Sequence, residues 1–550
     1  MSHAGTERYV IGIDVGTGSA RAGLFDMRGE LKATEKREIA LFHEGLSIAE
    51  QSSENIWRVV SECVRGVVRK AAIEPSRVIG LGMDATCSLV VVGEDGSPLP
   101  VGNPNLPERN IIVWMDHRAI EQAERINAIG HEVLRYVGNR ISPEMETPKL
   151  LWLKENRPDT FNTARHFFDL ADYLSWRATG SLDRSICTTT CKWTYLGHER
   201  RWDEGYFRAI GLSEIADEGF ARIGTRIVDV GTAVGSGLTP AAAADFGLRE
   251  GTPVAAGLID AHAGGIGTVG AASGAGEGSA TTRMAYVFGT SACTMTSTRE
   301  PAFVPGVWGP YYSAMVPGLW LSEAGQSAAG AAIDHLVSSH PAAAEAAGRA
   351  EESKTGVTTW LSHQALLLEK SHSRVALLAD GLHVVPEFLG NRAPFADPDA
   401  RGLIAGLDMD RSLNGLVRLY VAGVCGLGYG LRQIIEAQHA EGVDVDTIVV
   451  SGGAGQNALV RQLLADAIGI QVAAPKTSEP VLLGSAMLGA VAAGCYADLA
   501  QAMSSMSAMG KVYDPAVCEL ADWHKRRYGG FQLLQETGRK LRSTKSWPVT

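Results

Sequence analysis

Three aspartates follow apolar runs that read as buried strands: Asp84 after 78–83, Asp116 after 111–115 and Asp260 after 254–259. A fourth, Asp14, closes the run 9–14, just ahead of the turn Gly16-Thr17-Gly18-Ser19. Open α/β sheets place ligand-binding groups at strand ends, so the three strand-end aspartates are expected to converge on one sheet edge. Asp260, in Asp260-Ala261-His262-Ala263-Gly264, is placed to accept a proton from a substrate hydroxyl. His262 reads as a core or capping histidine and not as the base. A carboxylate at Asp14, beside a turn able to hold phosphate, makes sense only with a cation between them. Mg2+ held through water fits that position. Phosphoryl transfer needs alignment, charge neutralisation and a positioned base, and these residue types supply all three.

Glycine carries the phosphate side of the argument. The chain has 63 glycines in 550 residues, above a norm of ~7%. They cluster at 12–18, 264–278, 289, 452–455 and 484–494, each beside an apolar run. Phosphate needs backbone N–H donors unobstructed by Cβ atoms. Gly16-Thr17 and Gly289-Thr290 offer such donors with hydroxyls added, and the Ser451–Gly455 turn offers a flat platform for an adenine ring. No Gly-x-x-x-x-Gly-Lys-Ser/Thr run is present. The five clusters together point to one binding site assembled from both halves of the chain.

The elements that must position these groups follow from periodicity. Runs 9–14 and 21–26 form a hairpin about 16–19, so the Gly16-x-Gly18-x-x-Arg21 spacing is no dinucleotide fingerprint, which requires a helix after the glycines. Helical spacing covers 50–72, and 150–156 and 171–179 also read as helices. Run 284–288, the turn 289–291 and run 292–296 make a second hairpin. Run 447–450 leads through the 451–457 turn into a helix at 458–468, followed by 471–474 and a Gly/Ala-rich helix from Val481. Two similar hairpins half a chain apart predict two related α/β domains facing each other, with the change near 256–280, where 270–280 reads as a loop. A cleft between them is expected to close by a hinge near 256–280 and before Ser451.

Length and composition set the outer limits. At 58.4 kDa, with 45% apolar and 20% charged residues and a mean hydropathy of +0.01, the chain has ample core for two large domains. A net charge of −11 disfavours nucleic acid, which calls for clustered Lys and Arg. The start MSHAGTERYV does not read as a signal peptide. The most apolar window, 481–496, is shorter than the ~20 residues that span a bilayer, so no membrane association is expected. Cys187 and Cys191 have three residues between them and no second pair completes a zinc site, so the cysteines read as reduced thiols in a cytoplasmic protein. Residues 522–545 are rich in Lys and Arg and read as a solvated helical tail, with homodimer contacts as the alternative.

From about Tyr9 to about Gly510 the chain resembles the FGGY carbohydrate kinases. Gly12-Ile13-Asp14-Val15-Gly16-Thr17 matches the first phosphate motif of that family, Gly289-Thr290-Ser291 the second and Ser451-Gly452-Gly453 the adenosine motif; Asp260 stands in its DAHAG context. The resemblance implies two ribonuclease-H-like domains flanking a central cleft, ATP and Mg2+ as cofactors, and Asp260 as the catalytic residue. It implies ATP contacts at Gly16, Thr17, Gly18, Ser19, Gly289, Thr290, Ser291, Gly452, Gly453, Ala454 and Asn457, with Asp14 reaching the metal through water. Domains are expected at 1–262 and 263–510, followed by a helical tail at 511–550.

Within the family the chain is similar to the ribulokinase group. The motifs are Asp84-Ala85-Thr86-Cys87-Ser88, Trp114-Met115-Asp116-His117-Arg118-Ala119, Cys191-Lys192-Trp193-Thr194-Tyr195, Trp308-Gly309-Pro310-Tyr311 and Glu323-Ala324-Gly325-Gln326-Ser327. Gly390-Asn391-Arg392-Ala393-Pro394 resembles the second-domain signature, and in Ala422-Gly423-Val424 the alanine departs from the Glu that many relatives carry before the glycine. The resemblance implies sugar contacts from Trp114, Lys192, Glu323 and Asp260, with Asp84 and Thr86 beside them. Trp supplies a flat wall for a C–H face; Lys and Glu bond hydroxyl or keto oxygens. The implied reaction converts D-ribulose to D-ribulose 5-phosphate. L-ribulose or ribitol are alternatives within the class, and an actin-like or chaperone-like ATPase is the alternative outside it.

Overall fold

The structure, a computed structural model, describes residues 7–45, 47–271 and 280–543, the side chain of Ala454 excepted. The first half is built on a five-stranded sheet. Its strands are β1 (Tyr9–Val15), β2 (Ser19–Asp26), β3 (Leu31–Glu38), β4 (Val78–Ala85) and β5 (Leu258–Ile259), in the order β3-β2-β1-β4-β5. The hairpin β1–β2 is antiparallel, and β4 and β5 add in parallel. Every residue of β1 is buried, as an unbroken apolar run predicts for a central strand. The helix α1 (Ser53–Ala71) covers one face with Ile56, Val60, Val64 and Val67, and Ser52 caps it by accepting from the Asn55 N–H. A second, antiparallel sheet of Phe42–Glu44, Ile48–Gln51, Ile111–Ile112, Leu89–Val92 and His166–Asp169 is inserted in this half. The short α2 (Ile186–Lys192) follows, and α3 (Asp260–Val269) begins directly at the end of β5.

The second half repeats the plan. Its strands are β6 (Arg283–Phe288), β7 (Ala292–Thr298), β8 (Trp308–Tyr312), β9 (Trp320–Gln326), β10 (Thr447–Ser451), β11 (Gln471–Pro475) and β12 (Met509–Tyr513), in the order β8-β9-β7-β6-β10-β11-β12. The inner five, β9-β7-β6-β10-β11, reproduce the first sheet's order and directions. Two hairpin-first, mixed sheets of this kind are the ribonuclease-H-like pair that the resemblance implies. The long helix α4 (Leu413–Ala440) and α5 (Ala458–Ile468) cover the second sheet, and α6 (Pro480–Ala492) and α7 (Cys518–Ser543) complete the half.

The halves are joined through α3 and α6, which pack on each other and, in the case of α6, on β1 and β4 of the first sheet. Glycines make this approach possible. A methyl at Gly82 would lie 1.8 Å from the Ser485 carbonyl oxygen, and one at Gly484 would lie 1.9 Å from that of Ala263. The glycines at 264, 265, 267, 484 and 489 thus serve helix packing and not a ligand turn.

The loop read at 270–280 falls mostly on 272–279, outside the described residues, and α3 occupies Asp260–Val269 ahead of it. Two expectations are corrected. Asp116 does not reach the edge shared by Asp84 and Asp260. The strand there is only Ile111–Ile112, in the inserted sheet, and Asp116 is buried in an ion pair with Arg118 at 2.7 Å. The C-terminal helix is not a solvated tail. β12 extends the second sheet across residue 511, and α7 buries His524, Tyr528, Phe531 and Gln535 against the body. These recur every three or four residues, a stripe that the Lys- and Arg-rich composition conceals.

The packing of α6 gives a direct test. Gly484→Ala should destabilise the protein by ~1–3 kcal/mol or more through overpacking against backbone. Gly348→Ala has nothing within 4 Å and should be neutral or stabilising by ~0.5–1 kcal/mol. Thermal melting of both variants checks this; equal effects would contradict the packing account.

Candidate active site

Strand register assembles the acidic corner of the cleft. β1 and β4 pair Asp14 with Asp84, β1 and β2 pair Asp14 with Arg21, and β4 and β5 pair Ala85 with Ile259, so Asp260 stands one residue beyond. Arg21 bonds Asp14 through Nε at 2.7 Å and again through Nη2, both on Oδ2, and its Nη1 donates to Glu479 at 2.9 Å. Asp84 is fully buried; Ser485 donates to its Oδ2, and its Oδ1 has no partner. Burial and the Asp14 charge push Asp84 well above the usual carboxylate range. The same two causes push Asp260 up to about 6, against the Ala261 N–H at 2.8 Å and the nearby charges of His262 and Lys192. A carboxylate of this pKa next to a cleft is suited to general-base work near neutral pH. Crowded hard-oxygen donors with one orphaned oxygen also suit a divalent cation such as Mg2+.

A cavity of about 430 Å³ opens over this corner, with walls from both halves. Asp14, Gly16, Thr17, Ser19, Thr86, Trp114, Lys192 and Asp260 line it from the first half. Gly289, Thr290, Ser291 and Glu323 line it from the second. The two turns close alike: the Gly16 N–H donates to the Ser19 carbonyl at 3.0 Å and the Gly289 N–H to that of Ser291 at 2.9 Å. Trp114 Nε1 donates to Thr17 Oγ1 at 2.9 Å, which leaves the Thr17 hydroxyl proton free to be given elsewhere. Gln51 holds the same turn from behind through the Thr17 carbonyl at 2.8 Å.

The far wall is charged. Lys192 Nζ and the Arg392 guanidinium each sit 5.5 Å from the Trp308 ring centroid. Burial opposes the Lys192 charge, but Cys87 when ionised and the Glu323 carboxylate outweigh it and hold the ammonium well above its ordinary range. Burial would raise Glu323 likewise; Lys192, the His262 hydrogen bond and Arg392 bring it down to about 2. This wall therefore presents fixed charges of both signs at neutral pH.

A second cavity of about 620 Å³ adjoins the first and shares Gly289 and Thr290 with it. Gly453, Asn457, Tyr420, Thr358 and Gly330 are among its lining residues. Asn457 caps α5 through the Leu459 N–H at 2.9 Å, and its Nδ2 donates to Ser362 Oγ at 2.8 Å. Gly452 has φ +88°, and a methyl there would lie 2.5 Å from the Phe288 carbonyl oxygen; it makes the turn rather than the wall.

Two expected contacts besides Gly452 stay off the cavity surfaces. Asp84 lies behind Asp14, and Gly18 lines neither space. Arg21, Glu144, Cys293, Trp308 and Arg392 line the first cavity without having been assigned to it. Arg21 was legible, because a hairpin closing at 16–19 sets it opposite Asp14. Arg392 was not, since it meets Cys293, at 3.5 Å, across 99 positions of sequence.

The sequence model for the FGGY family of carbohydrate kinases matches over its N-terminal domain at residues 9–267 and its C-terminal domain at 284–493. An FGGY carbohydrate kinase domain-containing protein of Danio rerio is 45% identical, covering 96% of this chain and 97% of the relative. A D-ribulokinase of Saccharomyces cerevisiae is 37% identical over 88% of this chain and 72% of its own. A ribulokinase of Anoxybacillus flavithermus is 30% identical over 89% and 86%. Among solved structures, a xylulose kinase from Rhodospirillum rubrum superposes with a TM-score of 0.78 at 21% identity, covering 97% of this chain and 99% of that one. The chain belongs to the FGGY family of carbohydrate kinases.

The elevated Asp260 carboxyl predicts the pH dependence. A base works deprotonated, so kcat/KM for the sugar should be level above about 6 and fall about tenfold per pH unit below it. A profile flat down to pH 4.5 would remove Asp260 from proton transfer.

Proposed function

We propose that this carbohydrate kinase transfers the γ-phosphoryl group of ATP to a pentulose, with D-ribulose as substrate and D-ribulose 5-phosphate as product. The reading rests on the junction at Gly289-Thr290, where the cavity holding Asp260, Lys192 and Glu323 meets the cavity holding Gly453 and Asn457. A nucleotide in the second cavity would direct its phosphates toward the 16–19 and 289–291 turns, with the sugar in the first. Similarity to the yeast D-ribulokinase and to bacterial ribulokinases supports a pentulose.

Each residue then has a task. Asp260 takes the proton from the attacking sugar hydroxyl. Lys192 and Glu323, held charged, bond the keto and hydroxyl oxygens, and Trp114 supports the C–H face while steadying Thr17. Backbone N–H groups and hydroxyls of the two turns meet the phosphate oxygens. Asp14 would hold Mg2+ through water, and the ion would supply charge neutralisation on the phosphates. The eight cysteines are all free thiols, which fits the proposed cytoplasmic location. Among the described residues no helix is long and apolar enough to cross a membrane.

Phosphorylation of D-ribulose, L-ribulose, D-xylulose, ribitol and glycerol under identical conditions tests the assignment. D-ribulose should give the highest kcat/KM; ATP turnover that no sugar stimulates would favour a non-kinase ATPase. Asp260→Asn should lose ~10²–10⁴ in kcat with little change in KM for ATP. Lys192→Ala and Glu323→Ala should each cost ~5–150-fold in kcat/KM for the sugar and leave ATP binding intact. Poor ATP binding with normal sugar binding in both would place them in the wrong subsite.

A further inference from the structure

Cys187 lies in α2, fully buried and outside both cavities. Its Sγ is 3.1 Å from Nδ1 of His262, which is also fully buried, and it accepts the Ile259 N–H at 3.5 Å. The other ring nitrogen, Nε2, is 3.4 Å from Glu323 Oε2. A carboxylate accepts only, so Nε2 must carry a proton. Nδ1 is then satisfied by Cys187 in one of two ways: the thiol donates to the bare nitrogen, or the thiolate accepts from the imidazolium. Both leave the Nε2–H on Glu323. This is the arrangement in which one ring nitrogen is anchored so that the other points in a fixed direction.

The same sulfur joins three pieces of the site. It sits on the helix that ends in Lys192, accepts the N–H of Ile259, the residue immediately before Asp260, and acts through His262 on Glu323. We propose that Cys187 is a positioning residue of the sugar site, holding His262 so that Glu323 keeps its place and securing the start of α3 beneath Asp260. Burial alone would raise the Cys187 thiol, but the hydrogen bond from Cys191 and the charge and hydrogen bond of His262 bring it down to about 5. His262 is correspondingly lifted to about 10, against burial, by Cys187 and Glu323. Both shifts run toward the thiolate–imidazolium form of the pair.

A metal centre is the competing account of the same atoms. Cys187, Cys191 and His262 bring their ligand atoms within 4.8 Å of one another, a grouping that the Cys187–Cys191 spacing did not foretell. Tetrahedral zinc, at its usual bond lengths, would set sulfur and nitrogen ~3.6 Å apart. The 3.1 Å separation is that of a hydrogen bond, and burial holds the Cys191 thiol well above its usual range, hence protonated. The cluster satisfies itself without an ion.

The proposal rests on Glu323 contacting the sugar, so its test uses whichever sugar the wild-type enzyme turns over fastest. Cys187→Ala should raise KM for that sugar ~5–50-fold, the loss of one buried hydrogen bond, with KM for ATP within about twofold. Cys187→Ser should recover most of the loss, because a hydroxyl can donate to the bare Nδ1 and so leaves the Nε2–H on Glu323. An unchanged sugar KM in Cys187→Ala, equal impairment in Ala and Ser, or an equal rise in KM for ATP would overturn the proposal. If Cys187→Ala does not fold, His262→Gln, which retains an N–H donor, should outperform His262→Leu in sugar KM, and equal values would overturn it. Independently of any sugar, 15N-histidine labelling should show the His262 ring nitrogens shifting between wild type and Cys187→Ser; unchanged shifts would also overturn it. Failure of the pentulose assignment would appear in the wild-type sugar panel, and failure of the Cys187 role only in the variants.

Discussion

Repulsion among Asp14, Asp84 and Asp260 governs the centre of the molecule. Backbone register forces the three together, and in a buried corner like charges cannot all persist. Arg21 relieves Asp14, and Glu479 at the start of α6 fixes Arg21 in turn. Ser485, six residues further along α6, bonds Asp84. Burial and the Asp14 charge still lift Asp84 well above the usual carboxylate range and Asp260 to about 6. The elements that make this corner bearable come from the opposite end of the chain. The glycine-lined contact of α6 with the first sheet is therefore a condition of the chemistry as well as of stability.

The wall of Lys192, Glu323 and Arg392 solves a different electrostatic problem. Lys192 and Glu323 are both buried, and each would lose its charge alone. Together, with Arg392 and the Cys187–His262 pair behind them, they remain ionised. A site of fixed opposite charges around an aromatic ring discriminates by the direction of hydrogen bonds, as recognition of a polyol chain requires. On the first-half side of the same cavity, the Trp114 indole is bonded to Thr17 in the 16–19 turn.

The sequence revealed what is local. The two Gly-Thr turns, the strands that lead into them and Asp260 after its apolar run are contiguous patterns, and each appears as read. The helix at 458–468 is likewise found at Ala458–Ile468. The misreadings share one cause: composition was allowed to stand for environment. Glycines at 264, 265 and 267 looked like part of a ligand-binding turn but let α3 approach Val481, Met315 and Pro480. Arginines and lysines after 522 looked like a solvated tail but leave a buried stripe at Tyr528 and Phe531. An apolar run before Asp116 could not disclose which of two sheets it joins. Arg392 and the Cys187–His262–Glu323 chain depend on contacts dozens of residues apart, which no spacing pattern carries.

The central claim is that sugar and nucleotide meet at the Gly289-Thr290 junction under Asp260. A crystal structure of the enzyme with its sugar, ADP and aluminium fluoride tests this most directly, since the fluoride complex takes the place of the phosphoryl group in transfer. The account predicts the aluminium between the 16–19 and 289–291 turns, in line with a sugar oxygen that is within hydrogen-bonding distance of Asp260. Phosphates bound away from these two turns, or a sugar oxygen approaching from a side that Asp260 cannot reach, would contradict it.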